Sequence, residues 1–181
     1  IKMEKWDVYD INRQSTGKIM ERGSEFEEDA YTMVMHICIF NSKGEMLIQQ
    51  RQSFKKSWPN LGDLSIGGHV EAGETSAMGA MRELFEELGI KRDLTGQRPH
   101  FTINFVHGFD DYYTIIEDID LIELKLQKEE VQAVKWASRE EIKEMIEKEE
   151  FIHYYPSLID LLFDSGINYG AHVHEANKFL Q

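Results

Sequence analysis

The sequence predicts an α/β chain of the α+β kind, a layered sheet carrying a few helices. Three observations predict it. Met33 to Phe40 is an almost unbroken apolar and β-branched run, the mark of a buried strand. Met46 to Arg51 returns from it across Asn41-Ser42-Lys43-Gly44, which has the turn chemistry of a hairpin. Thr75 to Leu88 then switches to a helical period, with Ala77, Met81, Leu84, Phe85 and Leu88 as its apolar stripe.

The remaining elements follow in chain order. Trp6 to Asp10 and Lys18 to Met20 read as short strands joined by a turn at Ser15-Thr16-Gly17. Lys55 to Gly62, with Trp58-Pro59-Asn60, reads as a loop, and Leu64 to Val70 as a strand interrupted by Gly67-Gly68. Phe101 to His107 and Tyr112 to Ile116 alternate as strands around a break at Gly108-Phe109-Asp110-Asp111. Val131 to Trp136 is a further strand. Ser138-Arg139-Glu140-Glu141 opens a second helix as a capping box, Ser138 accepting from the third helical amide while Glu141 reaches back. Tyr155 to Phe163 completes the set as a third helix. Phe105, Tyr112 and Tyr113 read as core aromatics.

A chain of 181 residues suits one domain. The expected organisation is a single domain over 1–181, with the N-terminal strands at 1–30 as an extension and a polar tail at 168–181. His172, His174 and Glu175 in that tail are expected to be solvated rather than metal-bound. The net charge of −13 excludes non-specific nucleic-acid or anionic-membrane binding, which needs a basic face. It leaves room for a phosphorylated small molecule if metal ions stand between the anions. The single cysteine, Cys38, excludes an intramolecular disulfide framework and a Cys-only zinc site. With no membrane-length apolar run and no basic-then-apolar leader pattern, a reducing cytoplasm is the expected location.

The first helix carries the chemistry. At about 100° per residue, Glu83, Glu86 and Glu87 fall within an arc of roughly 100°. Like charges at these spacings repel by about 0.2–0.5 kcal/mol per pair. Arg82 offers relief to Glu86 four residues on, and a hard divalent cation such as Mg²⁺ or Mn²⁺ would remove the repulsion. Both helix ends are specified, by Thr75 as N-cap and by Gly89 as the left-handed residue past the last turn.

The spacing is more specific than the charge. From Gly68, five residues lead to Glu74; seven more lead to Arg82-Glu83-Leu84, then Glu86-Glu87, then Gly89-Ile90. This resembles the Nudix box, G-x5-E-x7-R-E-U-x-E-E-x-G-U with U apolar, at every specified position. At ordinary residue frequencies a chance match is on the order of one in a million or rarer. The resemblance implies an α/β/α sandwich with a mixed β-sheet over Met33 to Phe163. It implies a metal-dependent hydrolase of a diphosphate bond in a nucleoside diphosphate-X type substrate.

Carried over by position, Glu83, Glu86, Glu87 and the Gly68 carbonyl would hold the metal, Arg82 would orient the glutamates, and Glu74 would be a helix-start or secondary ligand position. Glu83 is one candidate for the base that takes a proton from water; Glu117, Glu129 and Glu130 outside the box are the others. Arg51, Lys55 and His69 are candidate substrate contacts. Monomer and homodimer both stay open.

The segment ahead of the box, Gln50-Arg51, Lys55-Lys56, Trp58-Pro59 and Gly68-His69, resembles the subgroup that includes isopentenyl-diphosphate isomerases. Those enzymes place a catalytic cysteine immediately before the Gly-His pair, where this chain has Gly67. The isomerase alternative therefore lacks its cysteine. A third alternative, a Nudix module that senses a nucleotide without cleaving it, is disfavoured by the intact set of glutamates.

Overall fold

The structure, a computed structural model, describes residues 3–173, so His174 and Glu175 lie outside the described residues. The described residues form nine strands and three α-helices: β1 (Lys5–Tyr9), β2 (Ser15–Glu21), β3 (Thr32–Phe40), β4 (Met46–Arg51), β5 (Gly62–Asp63), β6 (Ile66–His69), α1 (Ser76–Leu88), β7 (Phe101–Phe105), β8 (Gly108–Ile116), β9 (Val131–Ala137), α2 (Arg139–Glu147) and α3 (Pro156–Ser165). This is the α+β architecture expected. β1 and β2 make a two-stranded sheet. The other seven strands run β5-β4-β3-β8-β7, with β6 on β3 and β9 on β4.

Two compact units are distinguished. One runs to Ile37 and takes in Ile66–Tyr113 and Leu124–Gln127; the other holds Cys38–Ser65, Thr114–Glu123 and the described chain from Lys128 onward. In the first, β6 lies antiparallel to β3 with Met35 opposite Gly68 and His36 opposite Gly67. Its core gathers Met33, Met35, Ile37, Ile66, Ala80, Leu84, Leu88 and Leu94. In the second, β9 lies antiparallel to β4, and the core gathers Leu47, Ile48, Leu64, Ile142, Phe151, Ile159 and Leu162.

Several local expectations are corrected. Ser15-Thr16-Gly17 is not the first turn but the start of β2. The chain reverses over Ile11–Gln14, where Asp10 Oδ1 accepts from the amides of Asn12 and Gln14, both at 2.9 Å, and Arg13 takes φ 60°. Gly108 to Asp111 is not a break but the first half of β8, since the chain turns at Val106–His107. Ser138 does cap α2, accepting from the Glu141 amide at 3.1 Å, but the Glu141 carboxylate pairs with Lys135 Nζ at 2.6 Å.

The largest correction concerns the face of α1. Its buried residues are Ser76, Gly79, Ala80, Leu84, Glu87 and Leu88, while Phe85 is half exposed. On a helical wheel Ser76, Ala80 and Glu87 share the arc of Glu83. The carboxylates therefore do not oppose the buried face; two of them are part of it.

Candidate active site

β6 delivers Gly67-Gly68-His69 along β3, and the chain then leaves the sheet through Glu71–Gly73, with Gly73 at φ 85°. Helix α1 starts at once. Thr75 Oγ1 accepts from the Met78 amide at 3.2 Å, and Gly89 closes the other end at φ 73°. The amides of Gly89 and Ile90 reach back to Phe85 and Leu84, and those of Lys125 and Gln127 cap Leu88 and Glu87. With the carbonyls of Leu84, Phe85, Glu87 and Leu88 capped, the end of the helix that carries the carboxylates is tied down.

Arg82 is the hub. Its Nε and Nη2 donate to the two oxygens of Glu74 at 2.7 and 3.0 Å, Nη1 donates to Glu83 Oε1 at 2.7 Å and to Glu86 Oε2 at 3.3 Å, and Nη2 also donates to the His69 carbonyl at 3.0 Å. Burial opposes its charge, yet the bonds to Glu74 and Glu83 raise its pKa above the ordinary value. Glu74 also accepts the Glu71 amide at 2.9 Å, so the box glutamate ties the loop, the helix start and Arg82 together.

The three box glutamates differ in setting. Glu86 is half exposed, Glu83 largely buried, and Glu87 only 5% exposed. Glu83 lies against the backbone of Gly68, where a Cβ would stand 2.6 Å from Glu83 Oε1, so only glycine leaves the carboxylate its seat. Burial pushes the Glu83 carboxyl from 4.5 up to about 7, against the pull of Arg82 and with help from Glu86 and Glu4.

The donor set fits a hard divalent cation: carboxylates at Glu83, Glu86 and Glu87, beside a glycine that leaves room for close approach. Among the described residues no three His, Cys, Asp or Glu side chains already converge as a cage. The Arg82 guanidinium takes one oxygen each of Glu83 and Glu86.

His69 is covered by Trp6, the two rings stacked at 3.8 Å with planes 7° apart. Burial lowers its pKa to about 4, so it is neutral at physiological pH. Sequence reasoning did not find His36 or Asp110, which are 74 residues apart and bonded at 2.7 Å, with Tyr112 stacked on the imidazole. Nor did it find Arg13, which pairs with the buried carboxylate of Asp111.

In the second unit, Arg51 Nη1 donates to Asp63 at 3.3 Å and Lys55 pairs with Glu130. Glu117 and Glu129 belong to the same unit, Glu129 exposed. Trp58 is half exposed, sits at φ 52° and meets His153 edge-on. A cavity of about 490 Å³ beside β4 is lined by Ile48, Gln50, Leu61, Ala133, Lys135 and Met145 among others. Cys38 is fully buried, a core residue.

Comparison with known proteins matches residues 30–157 to the model of the NUDIX domain. The chain belongs to the Nudix family. An uncharacterized Nudix hydrolase of Listeria monocytogenes is 46% identical over 153 residues, 84% of this chain and 90% of that protein. The crystal structure of a Deinococcus radiodurans protein shares the fold at a TM-score of 0.71 and 24% identity, covering 88% of this chain and 97% of that one. An isopentenyl-diphosphate Delta-isomerase of Salmonella heidelberg is 38% identical over 65 residues, 35% of this chain and 36% of that protein. The chain is a Nudix pyrophosphohydrolase by class, from a family that uses divalent metal ions on phosphorylated small molecules. Among the described residues no helix is long and apolar enough to cross a membrane.

Proposed function

We propose that this Nudix enzyme hydrolyses the diphosphate bond of a nucleoside diphosphate-X type substrate in the cytoplasm, with Mg²⁺, or Mn²⁺ in its place. Glu83, Glu86, Glu87 and the Gly68 carbonyl would hold the metal within one Nudix domain whose N-terminal strands are an extension of the core. The metal, when bound, would neutralise the diphosphate and lower the pKa of a water so that it can give up a proton before attacking.

The observation that carries the proposal is the seat of Glu83: a buried carboxylate set against a glycine and held by Arg82. Arg82 holds Oε1 of Glu83, and Glu83 is one candidate for the base that takes a proton from the attacking water. Glu117, Glu129 and Glu130 are the alternative bases. Arg82 orients Glu83 and Glu86 and is anchored by Glu74 and by the His69 carbonyl. Arg51 and Lys55 would bind phosphate oxygens by exchanging Asp63 and Glu130 for substrate, and His69 would act as a neutral hydrogen-bond partner.

The test is product identification across nucleotide sugars, nucleoside diphosphates, dinucleotides and isopentenyl diphosphate, each with and without Mg²⁺. Metal-dependent release of phosphate or a nucleoside monophosphate is the expected result. No hydrolysis of any diphosphate would refute it.

The partial match to an isomerase favours one second reading, proton transfer on isopentenyl diphosphate. Gly67 speaks against it. A Cβ there would stand 2.7 Å from the His36 ring, so a cysteine has no room unless His36 moves.

A further inference from the structure

We infer that β1, which lies ahead of the residues matched by the family model, is the positioning element of the box loop, with Trp6 and Asp7 as its two grips. Its catalytic consequence rests on the hydrolase reading; its physical content does not.

The contacts run residue by residue along the loop. Trp6 lies flat on His69 at 3.8 Å. The Ala72 amide donates to the Lys5 carbonyl at 2.8 Å, and the Gly73 amide donates to Asp7 Oδ2 at 2.8 Å. Beyond Val70, whose amide still bonds to Met33 of β3, the loop has left its own sheet. Its internal ties are the Glu71–Glu74 bonds, so the amides of Ala72 and Gly73 are held from β1.

The grip is itself held. Trp6 Nε1 donates to Glu4 Oε1 at 2.9 Å, and Arg22 Nη1 donates to Glu4 Oε2 at 2.8 Å. Trp6 is only 5% exposed, so its ring has little freedom to slide.

The loop in turn sets Arg82. The same His69 whose ring is clamped by Trp6 offers its carbonyl to Arg82 Nη2, and Arg82 holds Glu83. A line of contacts thus runs Arg22, Glu4, Trp6, His69, Arg82, Glu83. Displacing the loop moves the anchor of the guanidinium that aims the carboxylate, and small misplacements at a catalytic centre are costly. Trp6 and Asp7 are positioning residues: they touch no reacting atom.

The experiment uses the full chain with Trp6→Ala, Asp7→Ala and the conservative Trp6→Phe. Three quantities are read: amide hydrogen exchange at Ala72 and Gly73, Mn²⁺ affinity by calorimetry without substrate, and the kcat against KM split. Trp6→Ala and Asp7→Ala are expected to speed exchange at those amides at least tenfold, leave α1 protected, and weaken Mn²⁺ binding roughly tenfold. The activity loss should fall on kcat, with Trp6→Phe restoring all three to within about threefold of wild type. Unchanged exchange and unchanged Mn²⁺ affinity, with only a lower melting temperature, would overturn the inference. Should Trp6→Ala not fold, the partly exposed Asp7 still provides the test. If the wild type hydrolyses no diphosphate the hydrolase reading falls, while exchange and Mn²⁺ affinity still decide the clamp.

Discussion

Replacing Glu83 by glutamine should make the metal-free protein more stable at pH 8 while removing its turnover. The carboxyl sits at about 7 in the fold against an ordinary 4.5, and its side chain is 15% exposed. Between those two values the folded state keeps a proton that the unfolded chain has released. The protein's stability is therefore highest, for this group, below pH 4.5, and falls as pH rises to about 7. Each pH unit in that window is worth about 1.4 kcal/mol, so the ionised carboxylate costs the metal-free fold roughly 3 kcal/mol. Glutamine keeps an oxygen for Arg82 and does not ionise. Urea denaturation of both proteins in EDTA, in steps from pH 5 to pH 8, reads the difference directly. The advantage of Glu83→Gln should grow from about 1 kcal/mol near pH 5 to about 3 kcal/mol at pH 8. A pH-independent difference, or a variant less stable than wild type at pH 8, would refute the burial argument.

Arg82→Lys keeps the charge but loses the fork that spans Glu74, Glu83 and the His69 carbonyl; kcat should fall roughly 10–100-fold with little change in KM, read by steady-state kinetics. Gly68→Ala places a methyl 2.6 Å from Glu83 Oε1 and should displace the carboxylate, measured as weakened Mn²⁺ binding in calorimetry. Glu87→Gln should remove most turnover while circular dichroism and melting temperature stay close to wild type. For His69, lowered from 6.5 to about 4, the stability tied to its neutral form is lost progressively as pH falls from about 6.5 to about 4. Its ring protons should thus show no NMR titration between pH 5.5 and 8, and a midpoint near 6.5 would mean that the Trp6 stack is open.

The parts of this molecule legible in its sequence are those fixed by neighbours in the chain. Thr75 and Gly89 bracket α1 because caps act within four residues, and the box spacing survives because one helix and one turn carry it. The turns were harder. Gly17 looked like a reversal, yet its positive φ lies inside β2, while the true reversal places non-glycine Arg13 in the left-handed region, with its guanidinium on distant Asp111. The apolar stripe of α1 misled in a similar way. Phe85 is hydrophobic but half exposed, and Glu87 is charged but buried, because the side of the helix that meets β6 is the side that carries the chemistry. His36 with Asp110, Trp6 with His69 and Lys55 with Glu130 were invisible for a simpler reason: no local rule joins residues 60 to 75 positions apart.

The Arg13–Asp111 pair bears on where this protein can be cut. The homology boundary falls at Ala30, and a chain begun there would look complete by its motif. It would nonetheless leave the fully buried Asp111 carboxylate with Thr102 and Ser76 but no counter-cation. Removing one partner of a buried ion pair typically costs about 3–5 kcal/mol, a large part of the total stability of a small domain. The stretch matched by the family model and the stretch that satisfies Asp111 are different lengths of chain. Recombinant fragments trimmed to the shared motif should be expected to aggregate rather than to report on catalysis.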